Sequence, residues 1–211
     1  MDEIAHAAGR DPIEFQLDLL ASPLPGEGAG KGGNAFGPGF FAARMITVLE
    51  RVRGMSGWES RHKLPQGTGM GVACYWSHLG YVAQVHEVSV AGDGTVAPHA
   101  IWAAVDVGSQ IVNPTNAENQ VLGSILDAVS AALGQQITFE KGRVVQGNYH
   151  DYALLRNTKI PRIQIEFVKT AYSPTGLGEP AYPSALPAFC NAIYAASGQR
   201  VRKLPISTAR L

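Results

Sequence analysis

A series of three β-rich segments joined by very short turns constrains the fold of this chain most. Residues 70–77 and 81–90 are separated by His78-Leu79-Gly80, and Gly92-Asp93-Gly94 leads into a third segment. Connections this short join only antiparallel neighbours, because a parallel pair needs a crossover of roughly a dozen or more residues. The apolar positions change phase around Glu87, which predicts a β-bulge or a strand that is covered on both faces. The sequence therefore predicts an antiparallel meander.

Two amphipathic helices are expected ahead of the meander. The first begins at Asp11-Pro12, since aspartate favours the N-cap and proline the first helical position. Apolar residues recur at helical spacing in both helices: Ile13, Leu17 and Leu20 in the first, and Phe41, Met45, Val48, Leu49 and Val52 in the second. Between them, residues 22–39 hold seven glycines in eighteen positions, too many for a regular element. We expect a long surface loop there, or a crossing to a neighbouring chain.

Two more helices and a strand are expected after the meander. Asn113-Pro114 begins one helix, and Ser184 is predicted to cap the last one, which ends at Gly198. A half-buried strand is expected from the alternation of Ile163, Ile165 and Phe167 with polar residues. The predicted fold class is α+β, with a mostly antiparallel sheet and helices packed on it.

The charge balance excludes partners that need a strong electrostatic field. Seventeen basic residues offset seventeen acidic ones in 211 residues, so we expect no binding of nucleic acid or of an anionic membrane surface. No stretch reaches the roughly 18 apolar residues of a spanning helix, and the acidic N-terminus is unlike a signal peptide. We therefore expect a cytoplasmic protein without membrane insertion, or a periplasmic one if a partner chain carries the export signal.

The stretch from Thr175 to Pro180, Thr-Gly-Leu-Gly-Glu-Pro, places one carboxylate on a nearly bare loop between a strand and a helix. Gly176 and Gly178 let the backbone approach a ligand closely, and Pro180 stiffens the exit from the loop. Loops in such positions often carry function. These residues alone leave open that Glu179 is an ordinary exposed glutamate in a glycine-rich turn.

A second candidate stretch lies on the helix that follows Asn113-Pro114. Its first turn exposes unpaired N–H groups that could bind phosphate. Gln120 can donate and accept hydrogen bonds, while Gly123 and Ser124 lie near the same face and leave room for a cofactor. The alternative is a well-capped core helix whose glycine packs against a neighbour.

The order of these motifs resembles the second molybdopterin-binding domain of the xanthine dehydrogenase/aldehyde oxidase family, closest to isoquinoline 1-oxidoreductase β-subunits and bacterial aldehyde dehydrogenases. The similarity runs along nearly the whole chain. It is carried by Ala104-Val-Asp-Val-Gly108, Ile111-Val-Asn-Pro114, Gln120-Val-Leu-Gly123, Gln146-Gly-Asn-Tyr-His-Asp151, Gly176-Leu-Gly-Glu179 and Leu186-Pro-Ala-Phe-Cys-Asn-Ala-Ile193. The resemblance implies a helical connector with a glycine-rich loop at residues 1–65 and a molybdopterin-binding α+β domain at 66–211.

The resemblance also implies roles for individual residues. Glu179 would lie beside the molybdenum as the catalytic base, a role suited to a buried carboxylate. Gln120 would contact the pterin, with Gly123, Ser124 and Gly178 beside the cofactor. This chain itself would supply no metal ligand. The cofactor would be molybdopterin with molybdenum, in the cytosine dinucleotide form, shared with a missing segment or a partner chain.

The family comparison extends to the reaction and to the other subunits. The implied activity is that of a molybdenum hydroxylase that oxidises an aldehyde or an N-heterocycle. The chain has two cysteines, Cys74 and Cys190, whereas an iron–sulfur cluster takes about four thiolates. Electrons would therefore leave through an iron–sulfur subunit. The family subunit is several times longer than this chain, so we expect the remainder of the subunit or a partner chain to complete the site. The isolated chain is then expected to be inactive.

Two departures from the family pattern affect the fine detail of cofactor contact. Leu122 and Ser124 stand where the family commonly has glutamate and glycine, and Val107 stands where cysteine is frequent. A different class of function therefore stays open: a non-catalytic assembly or interaction module that keeps the fold without binding cofactor. The intact Gly178-Glu179 sequence favours the hypothesis that the chain is part of an enzyme, because a non-catalytic scaffold has no need of that carboxylate.

Other candidates have simpler interpretations. His150-Asp151 suggests a dyad, but adjacent residues on an extended segment point in opposite directions. His78 and His86 lack a third ligand of good spacing for a metal. The basic residues Arg200, Arg202 and Lys203 are interpreted as a solvated helix end.

Overall fold

The computed structural model describes residues 1–22, 33–34, 37–38 and 40–206, with only the backbone given at 33–34 and 37–38. Most of the predicted glycine-rich loop at 22–39 therefore lies outside the described residues, but residues 33–34 and 37–38 form a short antiparallel pair, so the expectation of no regular element is wrong there. The elements are α1 (Asp2–Ala7), α2 (Pro12–Ala21), β1 (Gly33–Asn34), β2 (Gly37–Pro38), α3 (Ala42–Ser56), a 3-10 turn (Trp58–Lys63), β3 (Thr68–Ser77), β4 (Gly80–Val90), β5 (Val96–Asp106), α4 (Pro114–Leu133), β6 (Phe139–Glu140), β7 (Arg143–Val144), a 3-10 turn (Asn157–Lys159), β8 (Arg162–Phe167) and α5 (Tyr182–Ser197).

The central sheet has the strand order β3-β4-β5-β8. The first three strands form the predicted antiparallel meander, and β8 adds parallel to β5 after the long connection through α4. The pairing of β4 with β5 shifts register between Glu87 and Val88, which confirms the predicted bulge. The α+β class with a mostly antiparallel sheet is confirmed.

Helices cover both faces of this sheet. Ile101, Ala103 and Val105 of β5 point into one buried apolar cluster with α4 and α5. The alternate residues Ala100, Trp102 and Ala104 point into a second buried cluster with α2 and α3. A strand packed on both sides has no polar face, which is why the buried part of β5 is almost wholly apolar.

The predicted caps of α2 and α4 are confirmed. A side-chain oxygen of Asp11 accepts hydrogen bonds from the backbone nitrogens of Ile13 and Glu14, at 2.8 and 3.0 Å. Asn113 accepts one from the nitrogen of Asn116 at 3.0 Å. Each bond satisfies N–H groups that the helix leaves without a partner.

The predicted cap of α5 is wrong. This helix begins at Tyr182, and its N-cap Ala181, which lies three residues before Ser184, makes no side-chain cap hydrogen bond. Ser184 lies within the first turn and is fully buried. Its hydroxyl accepts a hydrogen bond of 2.8 Å from the side-chain amide of Gln84, which also donates to the carbonyl of Ala181. A buried amide needs such partners, so the serine serves the core of the domain instead of the end of the helix.

The interpretation of the C-terminal basic residues as a solvated helix end is also wrong for Arg200, which is mostly buried, whereas Arg202 is exposed but paired with an acidic residue. Arg200 is bonded to Asp2 at 2.5 Å and stacks on the ring of Tyr194, with its guanidinium carbon 3.4 Å from the ring centroid. Arg202 donates two hydrogen bonds of 2.6 and 2.7 Å to Glu3. These contacts fasten α1 to the segment that follows α5, a pairing of sequence ends that local periodicity cannot reveal.

The helices α2 and α3 share the second apolar cluster with the sheet, so the segment 1–65 packs directly on the domain at 66–211. The division of the chain at residue 65 stays a prediction. Within the described ranges, no helix is both long enough and apolar enough to cross a membrane.

Candidate functional site

An open groove of about 660 Å³ runs between α4, the β3–β4 turn and the loop that leads into α5. Its walls come from three segments that are far apart in the sequence. The lining residues are Ser77, His78, Asn119, Gln120, Gly123, Ser124, Asp127, Gly178, Glu179, Tyr182 and Pro183. All five residues that the sequence singled out, Gln120, Gly123, Ser124, Gly178 and Glu179, therefore lie in one place.

Helix α4 supplies one wall because of its periodicity. Val121 and Ile125 are fully buried against the sheet, which turns Gln120, Gly123 and Ser124 towards the groove. A side chain added at Gly123 would meet no atom within 4 Å, so the glycine leaves open space and does not serve helix packing. The alternative of a glycine packed against a neighbour is thus wrong. The groove runs along the helix flank beyond the exposed first turn, where the sequence had suggested a phosphate site.

The loop that carries Glu179 is held at both ends. The nitrogen of Thr175 donates to the carbonyl of Val107 at 2.9 Å, and the nitrogen of Ser109 donates to the carbonyl of Tyr172 at the same distance. Further along, the hydroxyl of Ser124 donates to the carbonyl of Gly178 at 2.8 Å. The backbone next to Glu179 is therefore tied to α4 as well as to the end of β5.

Glu179 itself stands at the open side of the groove. Its side chain is 74% exposed, and its Oε2 lies 3.0 Å from Nε2 of His78, which is 61% exposed. The expectation of a buried carboxylate is wrong for this chain, because no described segment covers that side of the groove. The glutamate is exposed, as in the alternative that it is an ordinary loop residue. Its carboxylate nevertheless contacts His78 at the edge of the groove.

No lysine or arginine is among the described residues that line the groove. Two carboxylates line it, Asp127 and Glu179, together with the amides of Asn119 and Gln120 and one imidazole. Among the described residues the Gln120 side chain has no hydrogen-bond partner, so its amide is available to a ligand. Such a lining suits an uncharged polar ring with both donors and acceptors. It offers nothing to neutralise a phosphate.

The other sequence candidates do not form sites. His150 and Asp151 approach only to 3.9 Å, and Asp151 instead accepts hydrogen bonds from the nitrogens of Gly147 and Asn148. His86 is fully buried, is bonded to Gln84 and does not line the groove, and burial lowers its pKa to about 3. Over the described ranges, no three histidine, cysteine or acidic side chains are placed to hold a metal ion.

Cys74 and Cys190 are free thiols. Burial raises the pKa of each to about 11, which disfavours the reactive thiolate near neutral pH.

Sequence reasoning missed the partner of Glu179. His78 was considered only as a metal ligand, and 101 residues separate it from Glu179 in the chain. A local signal did exist: His78 and Leu79 occupy a two-residue hairpin turn where Asn-Gly would be usual, which marks an uncommon choice of residues.

Three comparisons with known proteins bear on this site. Residues 48–161 match the family model described as "Molybdopterin cofactor-binding domain". The membrane-bound aldehyde dehydrogenase [pyrroloquinoline-quinone] of Gluconacetobacter polyoxogenes is 33% identical over an alignment 218 residues long. The alignment covers 99% of this chain and 27% of the relative. The isoquinoline 1-oxidoreductase subunit beta of Brevundimonas diminuta is 29% identical over 99% of this chain and 24% of its own length. The chain thus spans about a quarter of these curated relatives.

A solved structure shares the fold. The quinoline 2-oxidoreductase of Pseudomonas putida 86 superposes with a TM-score of 0.56 and 23% identity, over 60% of this chain and 17% of that one. At this identity the match speaks to the architecture alone.

Proposed function

Since the chain belongs to the molybdopterin cofactor-binding domain family, we propose that it forms the base-carrying part of the molybdenum subunit of a hydroxylase that oxidises an aldehyde or an N-heterocycle. One observation carries the proposal. The five residues that the family resemblance marked, drawn from α4 and from the loop before α5, line a single groove. The relatives whose names include aldehyde dehydrogenase and isoquinoline 1-oxidoreductase support the substrate class.

The groove fits the pterin end of the cofactor better than its phosphate end. Gln120 and Asn119 present amides that match the mixed donors and acceptors of a pterin, and the bare surfaces of Gly123 and Gly178 allow a flat ring to approach. A Cβ at Gly178 would meet only the side-chain oxygen of Gln120, at 3.8 Å. Because the groove lacks lysine and arginine, a cytosine dinucleotide form would need cations from the remainder of the subunit for its phosphates.

Glu179 would act as the general base. When bound, the molybdenum cofactor supplies the oxygen transfer and accepts the electrons. Glu179 would take up the proton released at the reacting centre on a carboxylate oxygen, while the other oxygen keeps its contact with His78. The remainder of the subunit would close the exposed side of the groove and exclude water from it. Electrons would pass to an iron–sulfur subunit, because two cysteines cannot hold a cluster.

Two alternatives make different predictions about the cofactor. The open position of Glu179 also suits a non-catalytic module, which would bind no cofactor. The name of one relative includes pyrroloquinoline quinone instead of molybdenum. Mass spectrometry of metals, with pterin and quinone analysis of the intact complex, separates the three cases. Molybdenum and pterin in near-equal amounts support the proposal, whereas a quinone without molybdenum, or no cofactor at all, would contradict it.

The role of Glu179 is tested by Glu179→Gln in the molybdenum-loaded complex. The amide is nearly isosteric, and the loop is shaped by its glycines and hydrogen bonds, so fold and molybdenum content should not change. The rate of reduction by substrate should fall by about 10² to 10⁴-fold, as for loss of a general base. Glu118→Gln, an exposed carboxylate on α4, is the matched control. A normal reduction rate in loaded Glu179→Gln would contradict the assignment of the base.

By contrast, Gln120→Ala should lower cofactor retention more than the rate per bound molybdenum.

A further inference from the structure

We propose that His78 is a positioning residue for Glu179, held in its own orientation by Ser77; this rests on the proposed role of Glu179 as base. The three side chains form one hydrogen-bonded series at the edge of the groove. Oγ of Ser77 lies 2.7 Å from Nδ1 of His78, and Nε2 of His78 lies 3.0 Å from Oε2 of Glu179.

The donor and acceptor roles in this series are consistent with one another. A carboxylate only accepts, so the Nε2 that faces Glu179 carries the proton and donates it. The Nδ1 of the neutral ring is then an acceptor, and the Ser77 hydroxyl is placed to donate to it. Ser77 thereby selects the tautomer that binds Glu179, in the way that a second partner usually fixes a histidine.

The backbone supports the same contact. His78 and Leu79 both have positive φ, 51° and 65°, which is uncommon for residues other than glycine. The next residue, Gly80, packs against the residue that follows Glu179: a Cβ there would lie 3.2 Å from Cγ of Pro180. The β3–β4 turn and the Glu179 loop are therefore in van der Waals contact, and a strained turn at a candidate site is a reason to look for function.

The consequence concerns orientation more than stability. An exposed glutamate side chain can sample several rotamers, and a contact between two exposed side chains adds little to the stability of the fold. One hydrogen bond to Oε2 nevertheless restricts the orientations of the carboxylate and leaves its other oxygen to accept a proton. Variants of His78 should accordingly fold normally and differ in how well Glu179 is aimed.

The contact is tested first without any cofactor, in the 211-residue chain labelled with ¹⁵N at histidine. The Nε2 resonance of His78 should shift on Glu179→Ala, and the Nδ1 resonance on Ser77→Ala. Asp127→Ala, which removes another carboxylate from the same groove, should leave the resonances nearly unchanged. A His78 Nε2 resonance that is indifferent to Glu179→Ala would overturn the proposal.

The functional consequence is tested in the molybdenum-loaded complex. His78→Ala should lower kcat by about tenfold with KM nearly constant, since misplacing a catalytic group slows the chemical step. His78→Gln places an amide N–H near the position of Nε2 and should restore most of the rate, and molybdenum content should be equal in all variants. If His78→Ala reacts at the normal rate while Glu179→Gln is slow, the positioning role is overturned and the base stands. If Glu179→Gln itself reacts normally, the proposed function fails as well.

Discussion

Arg44 and Asp106 form a buried, bidentate ion pair that joins α3 to the end of β5. Nε of Arg44 lies 2.6 Å from Oδ2 of Asp106, and Nη2 lies 2.7 Å from Oδ1. The guanidinium is sandwiched between the rings of Tyr81 and Tyr172, with 4.3 and 4.5 Å from its carbon to the ring centroids. The same carboxylate accepts hydrogen bonds from Gly108 and Thr170, so the pair also anchors the start of the loop that carries Glu179.

Arg44→Met should therefore destabilise the fold strongly. It leaves the Asp106 carboxylate buried without a cation, which costs about 3 to 5 kcal/mol in comparable cases. Urea unfolding at pH 7 measures the loss. Arg51→Met is the control, because Arg51 pairs with Glu166 at the surface and its removal should cost less than about 1 kcal/mol. Adding Asp106→Asn to Arg44→Met should recover part of the stability, since the buried charge is gone. Equal losses for Arg44→Met and Arg51→Met would refute this account.

Gly71→Ala should be more damaging than an alanine substitution usually is. Helix α5 lies so close to β3 that a Cβ at Gly71 would fall 2.0 Å from the backbone nitrogen of Ala192, and the helix would have to move. We expect a loss of about 3 kcal/mol or more in the free energy of unfolding. Gly54→Ala in α3 is the matched control, since nothing lies within 4 Å of its Cβ and a gain of about 0.5 to 1 kcal/mol is expected. A mild effect at Gly71 would mean that α5 can shift outwards easily.

His86 should make the stability of the chain depend on pH below neutrality. Burial lowers its pKa to about 3 in the folded chain, while in the unfolded chain the value is near 6.5. The unfolded state therefore binds the proton first, and stability falls as the pH drops from about 6.5 towards 3. Between pH 7.5 and 4.5 the loss should be about 2 to 3 kcal/mol.

Replacing this side chain tests the assignment. His86→Gln should flatten the pH dependence of the free energy of unfolding over that range, measured by urea titration at several pH values. His99→Gln, at an exposed histidine of β5, should leave the dependence nearly as it was. An unchanged slope in His86→Gln would show that other groups carry the effect.

The isolated chain should bind an apolar dye through the hairpin β6–β7. Phe139 is 69% exposed there, and its cross-strand partner Val144 is 51% exposed. Clustered apolar surface of this kind is uncommon on a chain that functions alone. Phe139→Ser with Val144→Thr should lower dye fluorescence and leave the free energy of unfolding within about 0.5 kcal/mol of the parent.

The same chain, purified alone, should hold little or no molybdenum, and a stoichiometric amount would contradict the need for the remainder of the subunit.

The sequence by itself determined most of the longer helices and strands and their order, because those depend on neighbouring residues. Short turns imposed the meander, and the phase change at Glu87 located the bulge. Asp11 and Asn113 marked helix starts through side chains that bond to backbone two or three residues away. The loop at Gly178-Glu179 was recognisable for the same reason: its glycines and its carboxylate are consecutive.

Only the tertiary structure decided which distant residues meet. Ser184 serves as a core partner of Gln84, 100 residues away, and no local pattern distinguishes that role from a cap. The pairing of Arg44 with Asp106, and that of His78 with Glu179, arises from how α3, β5 and the hairpin turn pack on one another. Such contacts depend on three-dimensional packing, in which each side chain takes the position that its neighbours leave open, and periodicity along one segment carries no information about the others.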